Sequence, residues 1–250
     1  MGLLKMNTET RLKSSVEVSV VFPAYNEADA LENAVKKVAK ALNEFSRSYE
    51  IIIAEDGSTD GTEKLAAGLA KNHHFVKHIH GEKRLGRGKA LKNAFKQSSG
   101  EVLVYMDLDL ATDLKHLKSL VSAVEFKGYD FATGSRMLPQ SNVERNRTRH
   151  IASKTYNFMV RALLGSKVND HQCGFKAFRR EPLMMLLDEV GASHWFWDTE
   201  ILVRANRRGY KIREIPVSWR GGRETKVKFL KDSFNMFWQT FSLWLHLKLQ

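Results

Sequence analysis

Two hydrophobic rhythms alternate along the chain. VEVSVVF (16–22) is apolar on both faces and stops at Pro23, as a strand buried on both sides does. Then Leu31, Val35, Val38 and Leu42 recur at three- and four-residue spacing, the period of a helix with one buried face. IIIA (51–54) is a short apolar run closed by the turn signal Asp56-Gly57-Ser58. Residues 61–72 read as a helix, 75–79 as a strand and 88–98 as a helix. VLVYM (102–106) is a further strand, followed by a helix carrying Leu114, Leu117, Val121 and Val124, and residues 129–133 give another strand.

Such alternation predicts an α/β fold with a mainly parallel central sheet flanked by helices. Ligands of these sheets bind beyond the carboxyl ends of the strands. Tyr25-Asn26-Glu27, Glu55-Asp56 and Asp107-Leu108-Asp109 all fall at that edge. With four prolines, no Ser/Pro-rich linker and no internal repeat, one domain over 16–225 is expected, after an N-terminal tail (1–15) and before a C-terminal extension (226–250). In the extension Leu230, Phe234, Phe237, Phe241 and Trp244 share a helical face, opposite Lys231, Asn235, Gln239, Ser242 and His246. One amphipathic helix or two short ones would result. That apolar face suits a membrane interface or the domain's own core, and it is too polar to span a bilayer.

Composition narrows the setting. At 43% hydrophobic and 27% charged over 250 residues, the chain can bury a sizeable core. Its single cysteine, Cys173, permits no disulfide within the chain, which points to a reducing, cytoplasmic setting. MGLLKMNTETRLKSS lacks the apolar segment of a signal peptide. The net charge of +12 calls for an anionic partner. The excess gathers in the second half: Arg136, Arg145, Arg147, Arg149, Lys154 and Arg161, then Arg204 to Lys228. No RNA-binding aromatic signature or helix-turn-helix signal accompanies it, so nucleic acid is not the expected partner, although a basic binding module is the alternative from another class.

The pair Asp107 and Asp109 needs a reason. At ~4 Å two such charges repel by about 4 kcal/mol at an effective dielectric of 20. A divalent cation, an acid and base pair, or a solvated turn would each account for them. The metal reading gains because the pair follows a buried strand and shares its edge with Glu27 and Asp56.

The motifs PAYNE (23–27), EDGSTDGT (55–62), LGRGKAL (85–91), DLD (107–109), GSR (134–136), DHQCGFKAF (170–178) and WDTEIL (197–202) occur in an order that resembles the family 2 glycosyltransferases of GT-A fold. The resemblance runs from about residue 16 to 226 and is nearest to the dolichyl-phosphate hexose synthases, with QCGFKAF and FWDTEILVRA closer to the glucosyltransferase branch. It implies an inverting transfer of a hexose, glucose favoured, from a nucleotide sugar to a polyprenyl phosphate. Such a reaction would feed glycan assembly such as protein glycosylation, at the cytoplasmic face of a membrane. It implies that Pro23, Ala24, Tyr25 and Glu27 contact base and ribose, that Asp56 faces the nucleoside, and that Asp107 and Asp109 carry Mg²⁺ or Mn²⁺ on the diphosphate. Ala111 stands where some relatives have a metal-binding glutamine. Gly86 and Gly88 would let the backbone approach the donor, with Arg87 replacing a common lysine. Arg136, Arg149 and Ser153 would bind the acceptor phosphate, and Arg220, Arg223 and Lys226 would lie near the diphosphate or the membrane. Asp109, Arg136 and Asp198 are the catalytic candidates, Glu200 lying beside Asp198. A family member with a hydroxyl acceptor would need a carboxylate base, with Asp198 first in line.

Other features are expected to be structural. Arg145 and Arg147 read as a solvated helix start, and Cys173 as a buried small residue. His73, His74, His78 and His80 read as a surface loop and edge strand without a metal. Trp195 and Trp197 suit either core packing or stacking on a ligand.

Overall fold

A computed structural model describes residues 16–46, 48–221 and 229–249, and for 229–234 the backbone only. The expected tail 1–15, Arg223, Lys226, Lys228 and the side chains of Leu230, Lys231 and Phe234 lie outside the described residues.

In chain order the elements are β1 (Val18–Ala24), α1 (Ala28–Asn43), β2 (Tyr49–Glu55), α2 (Thr62–Asn72), β3 (Val76–Ile79), α3 (Arg87–Gln97), β4 (Val102–Met106), α4 (Leu117–Glu125), β5 (Phe131–Ser135), β6 (Asn142–Glu144), α5 (Arg147–Leu164), β7 (Phe175–Arg179), α6 (Arg180–Leu187), α7 (Trp197–Arg207), β8 (Ile212–Pro216), β9 (Ser218–Arg220) and α8 (Phe229–Lys248). A seven-stranded sheet runs β3-β2-β1-β4-β7-β5-β8. β7 lies antiparallel between β4 and β5, and the other pairings are parallel. β6 and β9 pair separately beside it.

The strands are apolar throughout because both faces are covered. On one face Val20, Phe22, Ile51, Ile53 and Val104 meet Leu31, Val35 and Val38 of α1 and Leu120 and Val121 of α4. On the other, Val21, Ile52, Leu103 and Tyr105 meet Leu91 and Phe95 of α3, Leu183 and Leu187 of α6, and Trp197 and Ile201 of α7. The two-faced runs of the sequence are this sandwich seen in one dimension.

Several boundaries differ from the periodicity: the first strand starts at Val18 and runs through Pro23 to Ala24, and the second extends to Tyr49–Glu55. The strand expected at 129–133 starts at Phe131, and that at 75–79 at Val76. Leu114 sits in a 3₁₀ turn, Leu114–His116, where Asp113 accepts a bond from the Lys115 N–H at 3.0 Å before α4 begins. The C-terminal helix is one continuous element; among its described side chains Met236, Thr240 and Leu243 are buried, and Leu243 packs with Val160, Leu164 and Phe196. Phe237 and Trp238 are exposed. Trp244 of the expected apolar face packs partly against the same cluster while Phe237 is exposed, so the covered side, which meets α5, coincides only in part with that face. No helix among the described residues is long and apolar enough to cross a membrane.

Candidate active site

The parallel strand ends meet as expected, and side chains stitch their loops together. Asn26, in the left-handed region at φ 54°, receives the Thr59 N–H on Oδ1 at 2.8 Å and donates its own N–H to Ser58 Oγ at 3.1 Å. The Glu27 N–H bonds Thr62 Oγ1 at 2.8 Å. Ala24 is buried, Pro23 and Glu27 are partly buried, and the Arg84 guanidinium covers the Tyr25 ring at 3.8 Å. Asp56 is buried, and its carboxylate accepts the N–H groups of Leu85 at 2.7 Å and Gly86 at 2.8 Å. Its structural task is thus to hold the turn that opens α3.

The glycines of that turn are closely packed on one side. A β-carbon at Gly86 would collide with the Ser193 carbonyl and His194, and one at Gly88 would lie 2.7 Å from the Ala192 carbonyl and 2.8 Å from Trp197 Cβ. On that side the space they leave is filled by the chain's own segment 192–197, while Gly88 also lines a recess with Leu85 and Lys89.

Asp107 and Asp109 follow β4, with Leu110 at φ 48° turning the chain after them. The Asp109 carboxylate accepts the Ala111 N–H at 3.0 Å. Although Asp109 is solvent-exposed, the surrounding protein and then Asp107 raise its carboxyl above the ordinary range. Asp107 fits against Gly174, whose missing side chain leaves the room: a β-carbon there would stand inside the carboxylate.

Beneath this pair lies a buried charge network. Arg87 reaches Asp107 at 2.7 Å, Asp198 at 2.5 Å and the Tyr105 hydroxyl at 3.0 Å. Asp198 also takes Lys176 at 3.0 Å and the Tyr105 hydroxyl. Burial alone would raise the Asp198 carboxyl, but Arg87 and Lys176 hold it below its ordinary range. Lys176, fully buried in β7, also donates to the carbonyls of His171 at 3.1 Å and Cys173 at 2.5 Å. A lysine inside the apolar run FKAF was the sequence's signal for it. Glu200 accepts the Ala192 N–H at 2.9 Å and pairs with Arg204 at 2.8 Å, a fixture of α7.

A cleft of about 780 Å³ opens over this network, bounded by Arg87, Asp107, Arg136, Arg145, Arg149, Ser153, Trp195, Asp198, Trp219 and Phe237. Trp195 faces it and lies under the Arg87 guanidinium at 5.0 Å, whereas Trp197 is core. Arg136 forks onto Asp170 at 2.7 and 2.8 Å, so both its guanidinium and its place in the wall are fixed. Burial pushes the Cys173 thiol up to about 12, which removes it as a nucleophile.

Arg145 is the residue that sequence reasoning set aside. Its Nη2 donates to Ser153 Oγ at 3.0 Å and to the Arg149 carbonyl, while Nε and Nη1 are buried with no hydrogen-bond partner among the described residues. Burial and the neighbouring Arg136 lower its pKa to about 10, as expected of a cation lacking an anion. Arg220, by contrast, pairs at the surface with Glu144 at 2.7 Å, between β9 and β6.

The donor set fits a hard divalent cation. Asp107 and Asp109 line a smaller recess together with Gln172 and Gly174. Two neighbouring carboxylates, one of them with its pKa raised by burial and then by the other, in a recess that Gln172 also lines, offer the oxygen chemistry that Mg²⁺ and Mn²⁺ take.

The sequence profile described as Glycosyl transferase family 2 matches residues 19–187. The chain belongs to this family. Among curated members, the family 2 chain is 47% identical over 236 residues to the glycosyltransferase AglD of Haloferax volcanii, covering 94% of this chain and 38% of AglD. It thus spans well under half of that relative. It is 31% identical to a dolichyl-phosphate beta-glucosyltransferase of Dictyostelium discoideum, covering 82% of this chain and 67% of the relative. Among solved structures, glucosyl-3-phosphoglycerate synthase of Mycobacterium tuberculosis, bound to Mn²⁺ and UDP, superposes with a TM-score of 0.68 at 21% identity, covering 93% of this chain and 81% of that one. That likeness gives the fold, the GT-A arrangement expected from the motifs.

Proposed function

We propose that this family 2 glycosyltransferase moves a hexose, glucose before mannose, from a nucleoside diphosphate sugar to a polyprenyl phosphate of dolichyl type at a membrane surface, with inversion. The observation that carries this reading is Arg145. A buried guanidinium with unpaired N–H groups, in a cleft wall shared with the Asp107 recess, is a seat for an anion beside the donor site.

An acceptor phosphate is already ionised near neutral pH and needs no strong base. A hydroxyl acceptor would need one, and Asp198 is poorly suited, being buried and held in its charged state by Arg87 and Lys176. We therefore read Asp198 as the group that positions Arg87. Arg145, Arg149 and Ser153 hold the phosphate, and Arg136 shapes the wall between acceptor and donor. Tyr25 and Glu27, with the backbone at Pro23 and Ala24, form the nucleoside end. Asp56 sets the turn before α3, which places Arg87. Asp107 and Asp109 would hold Mg²⁺ or Mn²⁺, whose charge would offset that of the departing diphosphate.

Ile151 and Phe158 on α5, and Phe237, Trp238 and Leu245 on α8, are exposed apolar side chains beside Arg149, Lys154 and Arg161. Apolar residues next to cations suit peripheral binding to anionic lipid, on the cytoplasmic face. The glucosyl preference is supported by the dolichyl-phosphate beta-glucosyltransferases among the relatives.

The test is incubation with labelled UDP-glucose or GDP-mannose, dolichyl phosphate and Mn²⁺, followed by organic extraction. Glucose label in the lipid phase is expected; label that stays aqueous with every donor would refute the reading. Flotation with anionic vesicles tests the membrane surface separately.

A further inference from the structure

The histidines that sequence reasoning placed in a metal-free edge do not stay apart. His73 and His74 pack around Phe75, with ring centroids at 5.3 and 5.5 Å. His78 and His80 turn the other way. They are two residues apart on β3 and its extension, so they point to the same side. β3 runs parallel to β2 with Ala54 opposite Ile79, so Glu55, next along β2, comes level with His80. Both histidines therefore converge on the Glu55 carboxylate, and one ligand atom from each of the three residues lies within 4.8 Å of the others.

We propose that Glu55, His78 and His80 form a second cation site, selective for a borderline transition metal of the Zn²⁺ class and separate from the Asp107 and Asp109 recess. Two imidazoles and a carboxylate are a zinc donor set, whereas Mg²⁺ prefers oxygen alone. Zinc bonds of about 2.0 Å set ligand atoms roughly 3.3 Å apart, within a small side-chain adjustment of the spread seen here. An independent observation is the Nε2 atom of His78, which is buried and has no hydrogen-bond partner among the described residues. A buried ring nitrogen is seldom left so, and a cation at the centre of the cluster answers it.

The second shell is present. Glu55 is pinned through its other oxygen by the Ser58 N–H, while the oxygen facing the cluster meets His80 Nδ1 at 2.6 Å. Glu63 of α2 and Glu82 add negative potential around His80. His80 is 40% exposed, which leaves the fourth position of a tetrahedron to water. Such a cation would tie the end of β2 to the end of edge strand β3, one residue before the Asp56 that fixes the turn opening α3.

The experiment is calorimetric titration of the tag-free, metal-stripped chain with ZnCl₂, in wild type and in the single variants Asp109→Ala, His80→Gln and His78→Ala, with circular dichroism to verify folding. The proposal expects one Zn²⁺ bound by wild type and by Asp109→Ala with similar affinity. It expects binding at least about tenfold weaker in His80→Gln, whose half-exposed ring can be replaced without repacking the core. Zn²⁺ should raise the melting temperature of wild type and Asp109→Ala but not of His80→Gln, and His78→Ala, if folded, should behave as His80→Gln does. No Zn²⁺ binding by wild type, affinity unchanged in His80→Gln, or binding lost in Asp109→Ala would each overturn it. None of these readouts depends on sugar transfer, so the site stands or falls apart from the proposed reaction.

Discussion

The Asp107 carboxylate occupies the place where Gly174 would carry a side chain if it had one. β4 and antiparallel β7 bring the two together, Met106 pairing with Phe175. A glycine in the DHQCGFKAF stretch is therefore a packing requirement of the first aspartate of the DLD motif, more than sixty positions earlier in the chain. Gly174→Ala should fold, with Asp107 pushed aside. Because a misplacement of about 1 Å at a reacting centre costs on the order of 10²-fold, sugar transfer should fall by about that factor. Initial rates across a Mn²⁺ series, beside a thermal melt, would check it: normal rates would mean that Asp107 does not need its present position.

Arg145 trades stability for binding on the present reading. Arg145→Met removes a buried cation with unpaired N–H groups, so the unliganded protein should be no less stable, and steadier by up to about 1 kcal/mol. Transfer should nevertheless fall, mainly through a higher KM for the polyprenyl phosphate, with Arg145→Lys recovering part of it. A purely structural Arg145 would give the reverse: lower stability and an unchanged KM.

Arg87 bridges Asp107 and Asp198, and nothing else in the network can replace a planar fork. Arg87→Met leaves Asp198, which is buried, with Lys176 and Tyr105 alone. Breaking a buried pair from one side costs about 3 kcal/mol or more, so a urea melt should show a loss of that order. A shift well under about 1 kcal/mol would mean that Lys176 suffices.

His171 is buried and bonds Asn157 Oδ1 at 2.7 Å and Ser166 Oγ at 2.8 Å. Burial drives its pKa from 6.5 down to about 3. Between those values the unfolded chain takes a proton that the folded chain refuses, so stability falls as pH drops through this window, by at most about 1.4 kcal/mol per pH unit. Asp170, held low by Arg136, adds a loss of the same sign only below its unfolded value of 3.8. Denaturant melts stepped from neutral to about pH 4 should show the slope, and His171→Gln should flatten it.

The sheet was legible because burial on both faces leaves a one-dimensional trace: VEVSVVF, III and VLVYM can hardly be anything else. β7 left no such trace, since a buried lysine interrupts FKAFR and its charge is balanced by Asp198, from a helix twenty-two positions away. The edge pair β6 and β9 is short and polar, below what alternation can register. Within the site, the DLD pair announced itself, as like charges in sequence must be close in space. Which arginine would be free could not be read: Arg136 and Arg145 look alike until Asp170 is seen to claim the first. Gly86 and Gly88 are also needed for packing against a segment a hundred positions on, which no spacing in the sequence could show. On α8 the expected apolar face is covered only in part: Phe237 is exposed, whereas Trp244 packs beside Leu243 against the cluster of Val160 and Leu164.

The bridge between Arg87 and Asp107 also bears on how the protein is loaded. With an internal counter-charge already in place, the strand-end carboxylates do not have to wait for a metal before the chain can settle. Were Asp107 to hold a metal as proposed, loading would be an exchange of one positive partner for another. A chain made where free metal is scarce would emerge finished, with its first aspartate held in trust by a neighbour that only has to let go.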